Sequence, residues 1–261
     1  MNKNLKLLYF SATENTKKFI RTIAGAISED YKEYDITAAK KRKEIPNFNE
    51  NDLLIVGSPV YGGRIPELLT EYFKKVKGAN TPAAFVVSYG NRDYDDALLE
   101  LKDIFEDNDF IGIAAGAFVG EHSNSKEIAG ERPDQSDFKS AEDFGRQIKR
   151  KVEATAELKS YAELEVRGDY PYKERHESPD FAPKTADSCI ECAVCAENCP
   201  VSAISFDNFS DINESKCISC CSCIQKCPVD AKSMDHPHFK EVTDYLIENF
   251  SDQRKEAEIF I

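Results

Sequence analysis

Apolar residues in the first 160 positions fall into two alternating patterns: short unbroken runs and stripes at helical spacing. Leu5 to Phe10 is a nearly continuous apolar run, as a strand buried on both faces requires. Asn15 to Ile27 carries Phe19, Ile20, Ile23, Ala24 and Ile27 on one helical face. Tyr31–Ile36 and Leu53–Val56 read as strands, and a helix begins at Pro66 with Leu68, Leu69, Tyr72, Phe73 and Val76 in phase. Ala83–Val87 is a fourth strand, Ala97–Phe105 a helix, Ile111–Val119 a fifth strand, and Ser136 to Leu158 a long amphipathic helix. Strands alternating with helices predict an α/β domain built on a five-stranded parallel, doubly wound sheet. Ligands of such sheets sit at the carboxyl ends of the strands.

Beyond residue 163 the pattern changes. Val166 to Ser188 is charged and interrupted by Gly168, Pro171, Pro179 and Pro183, which predicts a semi-extended linker. The expected organisation is a sheet domain over 1–163, a linker over 164–184 and a small cysteine-rich α+β domain over 185–261. Phe239, Val242, Leu246 and Phe250 recur at helical spacing, and that helix is expected to cover the small domain's core.

With 41% hydrophobic and 31% charged residues, the composition is that of an ordinary soluble globular protein. The longest apolar stretch, Phe110 to Val119, is too short to span a bilayer. The N-terminal residues lead straight into a strand-like run without the features of a signal peptide, so a cytoplasmic location is expected, with no membrane insertion. A net charge of −13 argues against nucleic acid and suits docking to basic patches on partner proteins.

Eight cysteines repeat one spacing. Cys189, Cys192, Cys195 and Cys199, followed by Pro200, match Cys217, Cys220, Cys223 and Cys227, followed by Pro228, at an offset of 28 residues. This is the bacterial run for four-iron clusters, in which the fourth cysteine serves the other cluster. One cluster is then expected on Cys189, Cys192, Cys195 and Cys227, and the second on Cys217, Cys220, Cys223 and Cys199. A disulfide framework suits secreted chains. Paired zinc sites share the ligand type but need no proline after the fourth cysteine. Unrelated buried cysteines would not repeat a spacing. The ninth cysteine, Cys221, aligns with Ala193 and reads as a packing residue.

Three loops at predicted strand ends carry cofactor chemistry. Ser11-Ala12-Thr13-Glu14-Asn15-Thr16 places small hydroxyl and amide side chains ahead of a helix N-terminus, which suits a phosphate. Simple N-capping uses the same residue types. With neither GxGxxG nor GK[ST] present, a flavin phosphate is favoured over a dinucleotide or nucleoside triphosphate. Ser58-Pro59-Val60-Tyr61-Gly62-Gly63 combines an aromatic face with glycines that admit close approach. Ser88-Tyr89-Gly90-Asn91-Arg92-Asp93-Tyr94 adds further tyrosines beside the neighbouring strand.

In these loops the chain resembles the flavodoxins, whose phosphate loop reads T/S-x-T-x-N-T. The resemblance implies FMN, bound by the loop Ser11, Ala12, Thr13, Glu14, Asn15 and Thr16, with its phosphate on Ser11, Thr13, Asn15, Thr16 and backbone amides near them. Its ring would lie between Ser58–Gly63 and the third loop's Ser88, Tyr89, Gly90, Asn91, Asp93 and Tyr94. Tyr94 stands at the family's stacking position. Flavodoxins often place tryptophan in the 58–63 loop, and this chain has none, so Val60 or Tyr61 would stand in. The cysteine segment resembles bacterial two-cluster ferredoxins. Taken whole, the chain is similar to flavodoxin–ferredoxin fusion proteins of anaerobic bacteria. Gly120-Glu121-His122-Ser123 resembles a recurring segment of that group, and His122 is a candidate proton source or an ordinary loop histidine.

The expected function is electron transfer between two 4Fe-4S clusters and FMN, with redox proteins as partners. An alternative is a flavoenzyme that reduces a small molecule such as a quinone, with His122, Arg64 and Arg92 as candidate polar groups but no recognisable catalytic set. A redox sensor or docking module is a third class.

Overall fold

The computed structural model describes residues 3–155, 161–175 and 178–261. The apolar runs form β1 (Asn4–Tyr9), β3 (Asp52–Pro59), β4 (Thr81–Tyr89) and β5 (Phe110–Val119), with the more polar β2 (Lys32–Asp35) outside β1. All four pairings are parallel, in the order β2-β1-β3-β4-β5. That is the flavodoxin-type order of a doubly wound sheet. A sixth strand departs from the predicted five: β8 (Glu258–Phe260) adds antiparallel to β5, pairing Ala115 with Phe260 and Ala117 with Glu258. Three residues of mixed polarity give no strand signal of their own, so only the ladder defines them.

Helices α1 (Asn15–Ile27) and α4 (Gln135–Ala154) cover one face through Phe19, Ile20, Ile23, Phe144 and Ile148. Gly145 lets them meet, because a Cβ there would lie 2.4 Å from the Ile23 carbonyl oxygen. On the other face α2 (Glu67–Phe73) and α3 (Ala97–Glu106) bury Leu69, Phe73, Leu101 and Phe105. Asp134 and Asp137 form a capping box that starts α4 one residue earlier than the pattern predicts. The predicted end of that helix, 156–158, lies outside the described residues.

The linker is docked rather than free. Arg64 pairs with the buried carboxylate of Glu100, and linker Arg175 joins the same group at 3.1 Å. The Asp96 side chain accepts from the backbone N–H groups of Asp169 and Lys173. Tyr172 donates to Asp103 at 2.7 Å, and Leu164 is buried in the sheet domain's core. The composition predicts a semi-extended linker; here Arg175 answers Glu100 on α3, Lys173 answers Asp95, and Arg167 answers Asp93.

The small domain is a structural repeat at the offset seen in the sequence. Short helices α5 (Val194–Glu197) and α6 (Ser222–Gln225) correspond. So do the left-handed residues Glu191 and Ser219, Ala193 and Cys221, and Ser202 and Asp230. Cys221 is buried at the cap of α6, with its thiol 3.6 Å from the Ser219 carbonyl. The antiparallel pair of β6 (Lys184–Thr185) and β7 (Lys232–Ser233) mirrors the Ile204–Ile212 bridge. Helix α7 (Pro237–Phe250) then leads back to β8.

Candidate functional site

Parallel register brings the carboxyl ends of β1, β3 and β4 side by side: Tyr9 opposes Gly57, and Pro59 opposes Ser88. Ser11, Ala12, Thr13, Asn15 and Thr16 line one side of a depression, and Pro59, Val60, Tyr61, Ser88, Tyr89 and Gly90 line the other. The Thr16 and Ser88 hydroxyls are 2.7 Å apart, and the Asn15 amide donates to the Glu121 carbonyl at 2.9 Å. The N-cap residue of α1, Glu14, makes no side-chain cap, and in the first turn the Lys17 N–H goes to the Ser11 hydroxyl at 3.1 Å. Among the described residues the N–H groups of Asn15 and Thr16 are left for an anion, which fits a phosphate.

This depression opens into a cavity of about 820 Å³ lined by Val60, Tyr61, Gly62, Gly63, Tyr89, Gly90, Arg92 and Asp93. The opposite wall comes from Phe181, from Cys217, Ile218 and Ser219, and from His238, Phe239, Val242, Tyr245 and Leu246 of α7. The apolar face of α7 therefore lines a space between the domains instead of only covering the small domain. Gly63 has φ +88, and a Cβ there would meet the Asp95 carboxylate at 2.1 Å. That carboxylate binds Arg92 and, at 2.8 Å, Lys173. The glycine keeps this charge cluster at the cavity's rim.

Four residues of the expected flavin set lie elsewhere. Glu14 turns toward the small domain, where its carboxylate meets Lys226 at 2.9 Å. Ser58 is buried, with its hydroxyl on the Pro59 carbonyl. The amide of buried Asn91 donates to the Phe250 and Gln253 carbonyls at 2.9 and 2.7 Å, and its oxygen accepts from Lys255 N–H. Tyr94 is fully buried, donates to Glu258 at 2.6 Å and lies under the Arg167 guanidinium. The tail and linker claim both side chains, and Tyr61 and Tyr89 are the loop tyrosines that reach the cavity.

His122 lines both spaces. Its Nδ1 accepts from Asn124 N–H at 3.1 Å, so Nε2 carries the proton of the neutral ring. Burial, aided by Arg92, pushes its pKa down to about 4. At neutral pH it is an N–H donor. Arg64 is held by Glu100 and the Lys173 carbonyl and is not on the cavity wall.

Cys189, Cys192, Cys195 and Cys227 line one small pocket, uniting three cysteines of the first run with the fourth of the second. Among the described residues no three metal-binding side chains converge on a single-ion site. Burial, then the nearness of Cys199 and Cys217, pushes Cys220 up to about 12. Cys223 is raised to about 12 by burial and by Cys220, Cys217 and Cys199. Cys199 thus sits among the second run's thiols. Backbone N–H groups reach the two fourth cysteines alike: Ala203 to Cys199 Sγ at 3.2 Å, and Ala231 to Cys227 Sγ at 3.1 Å. Both thiol sets fit a cluster, since N–H···S bonds of this kind tune one.

The flavodoxin domain model matches residues 6–124, and the 4Fe-4S binding domain model matches residues 211–233. No curated protein matches the chain. A flavodoxin from the domain Archaea aligns over 57% of this chain and 99% of its own, at 15% identity and TM-score 0.41. A flavodoxin of Streptococcus pneumonia TIGR4 gives 19% identity over the same shares, with TM-score 0.41. Rubredoxin oxygen:oxidoreductase from Desulfovibrio gigas gives 18% identity over 59% of this chain and 37% of its own, with TM-score 0.42. The two domain matches support an electron-transfer flavo-iron–sulfur protein. Its build, a flavodoxin-like domain followed by a C-terminal 4Fe-4S domain, is that of a flavodoxin–ferredoxin fusion. Among the described residues no helix is long and apolar enough to cross a membrane.

Proposed function

We propose that this chain passes electrons between two 4Fe-4S clusters and a bound FMN, linking one-electron donors to a one- or two-electron acceptor in the cytoplasm. Bound, the clusters supply one-electron steps and the flavin accepts one electron or two. The observation that carries the reading is a shared wall: Cys217, Ile218 and Ser219 line the same cavity as Tyr61, Gly62 and Tyr89. Ile218 and Cys220 also pack on the sheet domain's core. Burial, with Cys220 and Cys221 as neighbours, pushes the Tyr61 hydroxyl well above the ordinary phenol range. In this arrangement Ser11, Thr13, Asn15 and Thr16 hold the phosphate, and Tyr61 and Tyr89 flank the ring. Cys217, Cys220, Cys223 and Cys199 hold the nearer cluster, and Cys189, Cys192, Cys195 and Cys227 the outer one. Redox proteins are the expected partners.

Analysis of anaerobically purified protein tests this. The reading requires about eight iron, about eight sulfide and one FMN per chain. Zinc without sulfide refutes it.

The cavity's volume also favours a second reading, a flavoenzyme acting on a small molecule, since about 820 Å³ lies within the range of ligand pockets. His122, Arg92, Lys173 and His238 supply polar groups there. Steady-state turnover with quinones, compared with reduced ferredoxins and flavodoxins as acceptors, separates the two readings.

A further inference from the structure

Lys232 lines the pocket of Cys189, Cys192, Cys195 and Cys227 and is 4% exposed. Its ammonium donates to Thr185 Oγ1 and to the Phe209 carbonyl, at 2.5 Å each. Both partners are neutral, and among the described residues no carboxylate pairs with it. A buried charge is ordinarily paired or bound to a metal centre. The missing counter-charge lies along the same pocket wall: four thiolates around an iron–sulfide core. Lys232 also breaks the domain's symmetry. At the 28-residue offset its counterpart is the uncharged Ile204, buried with Cys195, Ala196, Cys199, Cys223 and Ile212.

We propose that Lys232 is a fixed cation that raises the reduction potential of the outer cluster above that of the cluster nearer the flavin loops. The inference rests on the two-cluster reading. A positive charge beside an anionic centre stabilises the more negative, reduced state, and cluster net charge and surroundings are established levers on potential. The exposure of Cys192 acts in the same direction, as solvent stabilises the added charge. A unit charge a few ångströms away, at an effective dielectric near 20, gives a preference of about tenfold or more, equivalent to about 59 mV for one electron. The first electron to enter the cluster domain therefore rests at its solvent-facing end.

The test is a potentiometric titration followed by electron paramagnetic resonance, with iron and sulfide assayed in parallel. Wild type should show two separated one-electron steps. Lys232→Met should lower the higher step toward the other, and Lys232→Arg should keep the separation. Unchanged steps in Lys232→Met at full iron content overturn the inference and leave the two-cluster reading intact. A wild type without two clusters' worth of iron overturns that reading itself. A measurement on wild type stands even if the variant does not assemble. In half-reduced protein, the shifted β-CH₂ proton resonances of Cys189, Cys192, Cys195 and Cys227 should move further toward their reduced positions than those of the other four ligands. Equal or reversed movement overturns the proposal.

Discussion

Glu14 Oε1 lies 2.9 Å from Lys226 Nζ, and this pair joins the phosphate loop to the residue preceding Cys227. The same ammonium reaches Asn198 Oδ1 at 2.9 Å, next to Cys199. One surface contact thus spans the flavin loop and the fourth cysteine of each run.

Both partners are partly exposed, so Lys226→Met should cost no more than about 1 kcal/mol of stability. Its larger effect should be on domain contact. Burial works against ionisation of Glu14, yet Lys17 and Lys226 hold its carboxyl below the ordinary range. The pair's contribution is therefore complete above the unfolded carboxyl's pKa and fades as pH falls through the lower folded value. Hydrogen exchange of residues 198–200 and 226–228 should speed up in Lys226→Met, and raising the salt concentration should do the same to wild type.

His122 gives the protein an acid sensitivity of opposite chemical origin. Its folded pKa of about 4 lies below the ordinary 6.5, so the unfolded chain binds its proton first as pH falls. Stability should be lost between about 6.5 and 4. Denaturant midpoints at pH 7.5 and 5.5 should differ more for wild type than for His122→Gln.

Asn91 ties the third flavin-side loop to the C-terminal tail. Asn91→Ala removes three hydrogen bonds and leaves the Phe250 and Gln253 carbonyls without this partner, at a cost of about 1–3 kcal/mol. Limited proteolysis should cut the tail after residue 250 faster, while FMN content is retained. Loss of FMN with an intact tail would instead make Asn91 a flavin contact.

Tyr61 and Tyr94 separate in the same way. Tyr94→Phe deletes the bond to Glu258 and should leave the flavin absorption spectrum unchanged. Tyr61→Ala should weaken FMN binding by about tenfold or more, the scale of a lost aromatic contact of 0.5–1.5 kcal/mol plus buried area. The absorption spectrum checks the first, and flavin fluorescence on dilution the second.

The sheet was legible because Leu53–Val56, Ala83–Val87 and, but for Lys6, Leu5–Phe10 are buried on both faces and so apolar, as is nearly all of Ile111–Val119. The cysteine sets were legible because cluster geometry dictates their spacing. Side-chain direction was not. The positions of Asn91 and Tyr94 in their loop match the flavodoxin pattern, but their partners, Gln253, Lys255 and Glu258, lie about 160 residues away. Nothing local to Arg175 marks it for Glu100 on α3. The stripe of Phe239, Val242 and Leu246 was visible, but which surface it faces depends on tertiary packing.

Strand β8 alters how the small domain should be regarded. Its chain leaves the sheet domain through a linker fastened to Asp96, Glu100 and Asp103, and returns to pair with the edge of β5. The cysteine-rich unit is therefore topologically an insertion, anchored at both entrance and exit, and not a pendant on a single tether. A carrier on one flexible arm searches for its redox centre, at the expense of distance control. This one is attached to the sheet domain at both ends, through the linker's bonds to α3 and its N-cap and through the β5–β8 ladder.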